Sequence, residues 1–136
     1  MASSIDFAAL VAAIGDAVVV SDENGDITYW NAAAERIFGF GPAEAMGQSL
    51  DIIIPERQRA RHWEGYRHTL QTGETRYGTQ VLRVPALHKD GRTLSIAFTV
   101  ALLPGAIVAV VRDDTARWNE ERDLRRRLRE LEAGKG

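Results

Sequence analysis

The sequence contains no cysteine, which removes disulfides, thiolate metal sites and attachment of a prosthetic group through sulfur as a matter of chemistry. Any cofactor is therefore non-covalent or held through another kind of ligand. Excess positive charge is missing as well: 17 Lys and Arg stand against 19 Asp and Glu, a formal net charge of -2 with a pI near 5.9. No global positive field is available to a nucleic-acid backbone, so direct DNA or RNA binding is disfavoured. No apolar run approaches the ~20 residues of a membrane span, and Met1-Ala2-Ser3-Ser4 lacks the basic region of a secretory leader. A cytoplasmic protein without membrane contact is expected. Also absent are a G-x-S-x-G elbow, a phosphate-cradling Gly-rich loop and an H-E-x-x-H pair. With no recognisable nucleophile-base-acid arrangement, a free-standing enzyme is not expected. There is no internal repeat and no low-complexity segment.

What is present suits one folded domain: 136 residues, of which 45% are apolar and 26% charged. Ser4 is placed to cap a short helix in which Phe7, Leu10, Val11 and Ile14 recur at helical spacing before Gly15. The β-branched run at 17–20 and the run at 27–30 flank Asp22-Glu23-Asn24-Gly25-Asp26, which is the chemistry of a hairpin turn. Asn31 is the natural N-cap of a helix over 32–38 ended by Gly39, followed by a helical turn at 42–47 and a brief apolar segment at 49–55. A longer helix is predicted over 55–72, with Pro55 in its first turn and Gly73 just past its end. The period then changes. Stretches 77–87 and 93–103 read as strands joined at His88-Lys89-Asp90-Gly91-Arg92, and 107–111 as a short central strand after the Pro104-Gly105 turn. From 117 to 132 a charged helix carries a thin seam of Leu124, Leu128 and Leu131, with Glu121 and Arg125 spaced to pair.

The order strand-strand, helices, three strands, the run Ile27-Thr28-Tyr29-Trp30-Asn31-Ala32-Ala33-Ala34-Glu35-Arg36-Ile37-Phe38-Gly39, the Lys89-Asp90-Gly91 turn and Val111-Arg112-Asp113-Asp114-Thr115 together resemble the PAS family. The resemblance covers nearly the whole chain. It implies an α+β PAS fold, a five-stranded antiparallel sheet with helices on one face enclosing a pocket, over residues 16–115. An N-terminal flanking helix at 1–15 and a C-terminal signalling helix at 116–136 complete the expected organisation. Two chromophore types within the family, the flavin photosensors of the LOV branch and photoactive yellow protein, need a cysteine beside or attached to the chromophore, and this chain has none.

On the predicted long helix, about 100° per residue places His62 at the edge of the apolar face made by Trp63, Tyr66 and Leu70, whereas His68, at about 240°, points away with Arg61 and Glu64. Gly65, one turn along, costs helix stability and suggests a close approach there. The resemblance extends to haem-binding PAS sensors of the FixL and Dos types. It implies His62 as the proximal ligand of a haem b iron, with Tyr66 beside it. On the same resemblance the distal side carries Leu82 and Gln80 at the positions of that group's distal arginine and distal methionine, with Phe98, Val100 and Tyr77 nearby. An apolar distal wall of Leu82, Phe98 and Val100 weakens polar stabilisation of dioxygen and leaves CO, NO or a redox role open. Arg76 and His68 fall near where such proteins hold the haem propionates, and an ordinary exposed role stands beside that reading. For His62 the competing reading is a histidine that packs or bonds a carbonyl.

Other candidates have plainer explanations. His88 belongs to a solvated turn, Asp113 and Asp114 suit the positive end of a helix, and Trp30 packs. The function expected is a sensory domain of a bacterial-type signalling protein, with haem sensing a diatomic gas or redox state. The alternatives are a cofactor-free dimerisation or small-ligand module and a domain binding FAD non-covalently. The partners expected are a second copy of the chain, through both flanking helices, and a downstream signalling domain.

Overall fold

The computed structural model describes residues 4–74 and 80–134 of the chain. Five strands, β1 (Ala17–Asp22), β2 (Ile27–Trp30), β3 (Leu82–Leu87), β4 (Thr93–Leu103) and β5 (Ala106–Asp113), form one antiparallel sheet in the order β2-β1-β5-β4-β3. Between β2 and β3 the chain makes α2 (Ala32–Phe38), α3 (Pro42–Ala45), a 3-10 turn (Leu50–Ile53) and α4 (Glu56–Thr72). The flanking helices are α1 (Phe7–Ala13) and α5 (Thr115–Ala133). Pro85 is tolerated in β3 because that strand lies at the edge of the sheet, where one side of the backbone needs no ladder partner.

Period-two alternation turns Val19, Ile96, Ile107 and Val111 inward, where they share one core with Ala34 and Phe38 of α2, Ala45 of α3 and Tyr66 of α4. The turn between β1 and β2 brings Gly25 to φ +80 against Trp63, whose ring would lie 2.2 Å from any Cβ at that position. Glycine is required there twice over, for the left-handed backbone and for the close approach. Asn31 is the tightest knot. Its Oδ1 accepts from Val18 N–H at 2.9 Å and caps α2 by accepting from Ala34 N–H at 3.0 Å. Its Nδ2 donates to the Val11 and Asp16 carbonyls at 3.2 and 3.1 Å. The side chain is only 3% exposed and every polar atom is engaged.

Several boundaries differ from expectation for identifiable reasons. α1 is capped by Asp6, which accepts from Ala9 N–H at 3.1 Å, rather than by Ser4, because the helical backbone begins at Phe7 and so puts the cap at residue 6. Pro55 stands at the N-cap of α4 instead of inside its first turn. α5 begins at Thr115 because its N–H donates to Asp113 Oδ1 at 2.9 Å while its Oγ1 accepts from Ser95 N–H at 3.0 Å. Glu121 pairs back to Arg117 at 3.2 Å rather than forward to Arg125, and Asp123 pairs with Arg126 at 3.3 Å. Exposed pairs of this kind contribute about 0.2 to 1 kcal/mol each. Neither α1 nor α5 buries a residue: Phe7 is 69% exposed and Leu131 66%. Among the described residues no helix is long and apolar enough to cross a membrane.

Candidate functional site

A cavity lies between α4 and the inner face of the sheet, in two adjoining lobes of about 250 and 520 Å³ that share Val19, Leu50, His62, Leu82 and Phe98. The larger lobe alone falls in the usual range for small-ligand sites, roughly 300 to 1,000 Å³. The smaller lobe is closed by Gly65, Tyr66 and Thr69 of α4 and by Gln80, Val100 and Ile107. The larger runs toward Ile53, Ile54, Gln58, Val84 and Ile96.

Three side chains hold α4 in place. The Trp63 indole donates to Asp51 Oδ1 at 2.8 Å, and Arg59 Nε donates to the Ile54 carbonyl at 3.1 Å. The Tyr66 hydroxyl donates to the Asp22 carbonyl and shares a 2.8 Å hydrogen bond with the Ser21 hydroxyl. Burial pushes the Tyr66 pKa up, with the Ser21 bond opposing it. His62 sits between these anchors, its ring 4.6 Å from Trp63 and 5.8 Å from Tyr66. Burial pushes its pKa below the ordinary value of 6.5, against the attraction of Asp51. The imidazole is therefore neutral near pH 7 and has a lone pair to offer. Its Nδ1 is buried and has no hydrogen-bond partner, as is the case for Gln58 Oε1 one turn earlier.

Of the residues singled out from sequence, His62, Tyr66, Gln80, Leu82, Phe98 and Val100 are brought together on this cavity. His68 is not, because it lies on the exposed side of α4 as its helical angle requires. Arg76 and Tyr77 lie outside the described residues. Gly65 behaves differently from expectation: no atom lies within 4 Å of a Cβ placed there, so the missing side chain leaves room in the cavity instead of admitting a protein neighbour. Arg61, expected to point away with His68, lines both lobes while staying exposed, which puts the residue at the rim. Gln58 was not singled out, although its spacing of four residues from His62 places both on one helix face. His88 is half-buried against Gly39 rather than solvated, with its Nδ1 accepting from Asp90 N–H at 3.1 Å. Trp30 packs on Phe38 and donates to the Phe40 carbonyl at 2.8 Å. No cluster of three or more His, Asp or Glu side chains suited to a metal occurs among the described residues.

The donor set tests the fit of a haem. One neutral imidazole, apolar walls, the space left at Gly65 and a cation at the rim are compatible with it.

The sequence profile of the PAS fold matches residues 5–103. The chain is 31% identical over 125 residues to the sensor protein FixL of Bradyrhizobium diazoefficiens, covering 88% of this chain and 24% of that protein. It is 27% identical over 128 residues to the oxygen sensor protein DosP of Escherichia coli, covering 91% and 16% respectively. The chain thus spans a quarter or less of these relatives' length. The crystal structure of a PAS domain from Colwellia psychrerythraea superposes with a TM-score of 0.68 at 22% identity, covering 81% of this chain and 95% of that one.

Proposed function

The chain belongs to the PAS family, as a sensory domain resembling the FixL and DosP sensors, and on that premise we propose that it holds haem b through His62. The observation that carries the reading is His62 itself: a neutral imidazole on the wall of both lobes, among apolar side chains. When bound, the haem supplies an iron that takes a diatomic gas or changes oxidation state. The chain's own part is to hold that group and bias what reaches it. Leu82, Phe98 and Val100 present an apolar wall that offers dioxygen no fixed donor, which favours CO, NO or a redox signal, while Gln80 is the polar group at that end. Arg61 at the rim is the cation suited to a carboxylate of the haem edge.

The test is an absorption spectrum during haem titration of the parent and of His62→Ala. A Soret band that saturates at one haem per chain in the parent, and is lost or shifted in the variant, is the expected result. A parent that binds no haem stoichiometrically removes the reading. The apolar walls favour a second possibility, a domain for a small apolar organic ligand, which leaves the protein colourless. Non-covalently bound FAD would make it yellow and fluorescent.

The exposed apolar side chains of α1 and α5 support a homodimer built through both helices, with α5 leading to a downstream signalling domain. Removal of residues 116–136 is expected to lower the particle mass in solution to one chain. An unchanged multiple would exclude that role for α5.

A further inference from the structure

We infer that Gln58 is the positioning residue for His62: its amide oxygen takes the Nδ1–H of the imidazole when Nε2 holds the haem iron, fixing the tautomer and the direction of the ring. This rests on the haem reading above.

Among the described residues, the buried side-chain polar atoms without a partner are Gln58 Oε1 and His62 Nδ1. Leaving such an atom unpaired forfeits the hydrogen bonds it would make in water, so each calls for an explanation. The two lie on α4 four residues apart, a spacing that puts Cβ atoms about 5 to 6 Å from one another on one face. Both residues line the larger lobe. Their chemistry is complementary in one state only. An amide oxygen accepts and never donates, while Nδ1 of a neutral imidazole donates only in the tautomer that leaves the Nε2 lone pair free. Metal-bound histidines almost always give the remaining ring N–H to such an acceptor.

Other acceptors near His62 already have partners: Asp51, the carboxylate whose charge acts on His62, receives the Trp63 indole at 2.8 Å and lies 3.9 Å from Arg59, and the Tyr66 hydroxyl is bonded to Asp22 and Ser21. Arg61 has no acceptor to give. Gln58 differs in that its buried oxygen has no partner at all. One contact between the two orphans satisfies both and needs only side-chain rotation.

The experiment compares the parent, Gln58→Leu and Gln58→Glu after haem loading, by the rate of haem loss to an excess of scavenging apoprotein and by the iron-histidine stretching frequency in resonance Raman spectra of the ferrous form. Gln58→Leu is expected to lose haem about 10 to 100 times faster, the range for removing such an outer partner, and to lower the stretching frequency. Gln58→Glu, an anionic acceptor, is expected to raise that frequency and lower the midpoint potential. A parent that loads haem while both variants match it in every readout overturns the assignment of Gln58 alone. A parent that takes up no haem overturns the haem reading and this inference together.

Discussion

On the side of the sheet nearest α2, Ala33, Ala34 and Phe38 are no more than 1% exposed and Asn31 has every polar atom engaged, whereas along α4 and β4 the side chains of His62, Phe98 and Val100 are half-buried and two polar atoms have no partner. Both regions use aromatic and β-branched residues, so composition does not separate them. The difference lies in where the large rings are anchored. Trp30 packs at a tilt on Phe38 and donates to the Phe40 carbonyl at 2.8 Å, just past the end of α2. Trp63 and Tyr66, in edge contact with one another, are tethered instead to the 3-10 turn and the β1–β2 hairpin, and Gly65 between them adds no bulk. A cavity can thus be kept open in a stable core by tethering the rings that would otherwise collapse into it.

The sharpest way to break this contrast is to remove one polar side chain from each region. Asn31→Ala strands buried donors and acceptors and is expected to destabilise the fold by on the order of 3 kcal/mol or more. His62→Ala, which deletes an unpartnered group, is expected to change stability by no more than about 1 kcal/mol. Denaturant midpoints for the two variants check both, and equal losses would remove the distinction between the closed and open regions. A smaller effect follows from Gly65→Ala. A methyl group there meets no neighbour and improves helix propensity, so the fold should gain about 0.5 to 1 kcal/mol while haem uptake falls. Opposite signs in thermal unfolding and in haem titration are the expected outcome. The smallest effect is with pH. Burial lowers the folded pKa of His62 below the 6.5 of an unfolded histidine, so in the interval between the two values the unfolded chain binds the proton and the folded one does not. The stability His62 contributes is thus present above 6.5 and is lost as pH falls through that interval. The parent should weaken more than His62→Ala between about pH 7.5 and about pH 5, and parallel curves would count against a buried neutral ring.

Sequence alone made the strand order of the chain, the Asn31 cap and the inward face of α4 legible, because each is a local consequence of period, cap chemistry or turn residues. It also placed His62 on the inner side of α4 and His68 on the outer. What it left unread depends on the third dimension. The role of Gly65 turned on whether a neighbour stood opposite it, which helical angle does not reveal. Arg61 borders the cavity while staying exposed, which its helical angle alone did not indicate. Gln58 became notable only once its oxygen was seen to lack a partner. The exchange of Ser4 for Asp6 as a cap shows the same limit at short range, where two plausible caps compete and the surrounding backbone decides.

The register of the two central strands sets Ala17, where the chain enters the sheet from α1, beside Val111, near where it leaves toward α5. Asp16 and Arg112 clasp across the same point, at 3.2 Å. Entry and exit are therefore one strand spacing apart, about 4.8 Å, on strands that also form the floor of the cavity through Val19 and Ala109. The roots of the two flanking helices are thus tied together at the strand pair that lines the cavity, so whatever covers α1 also lies beside the start of α5.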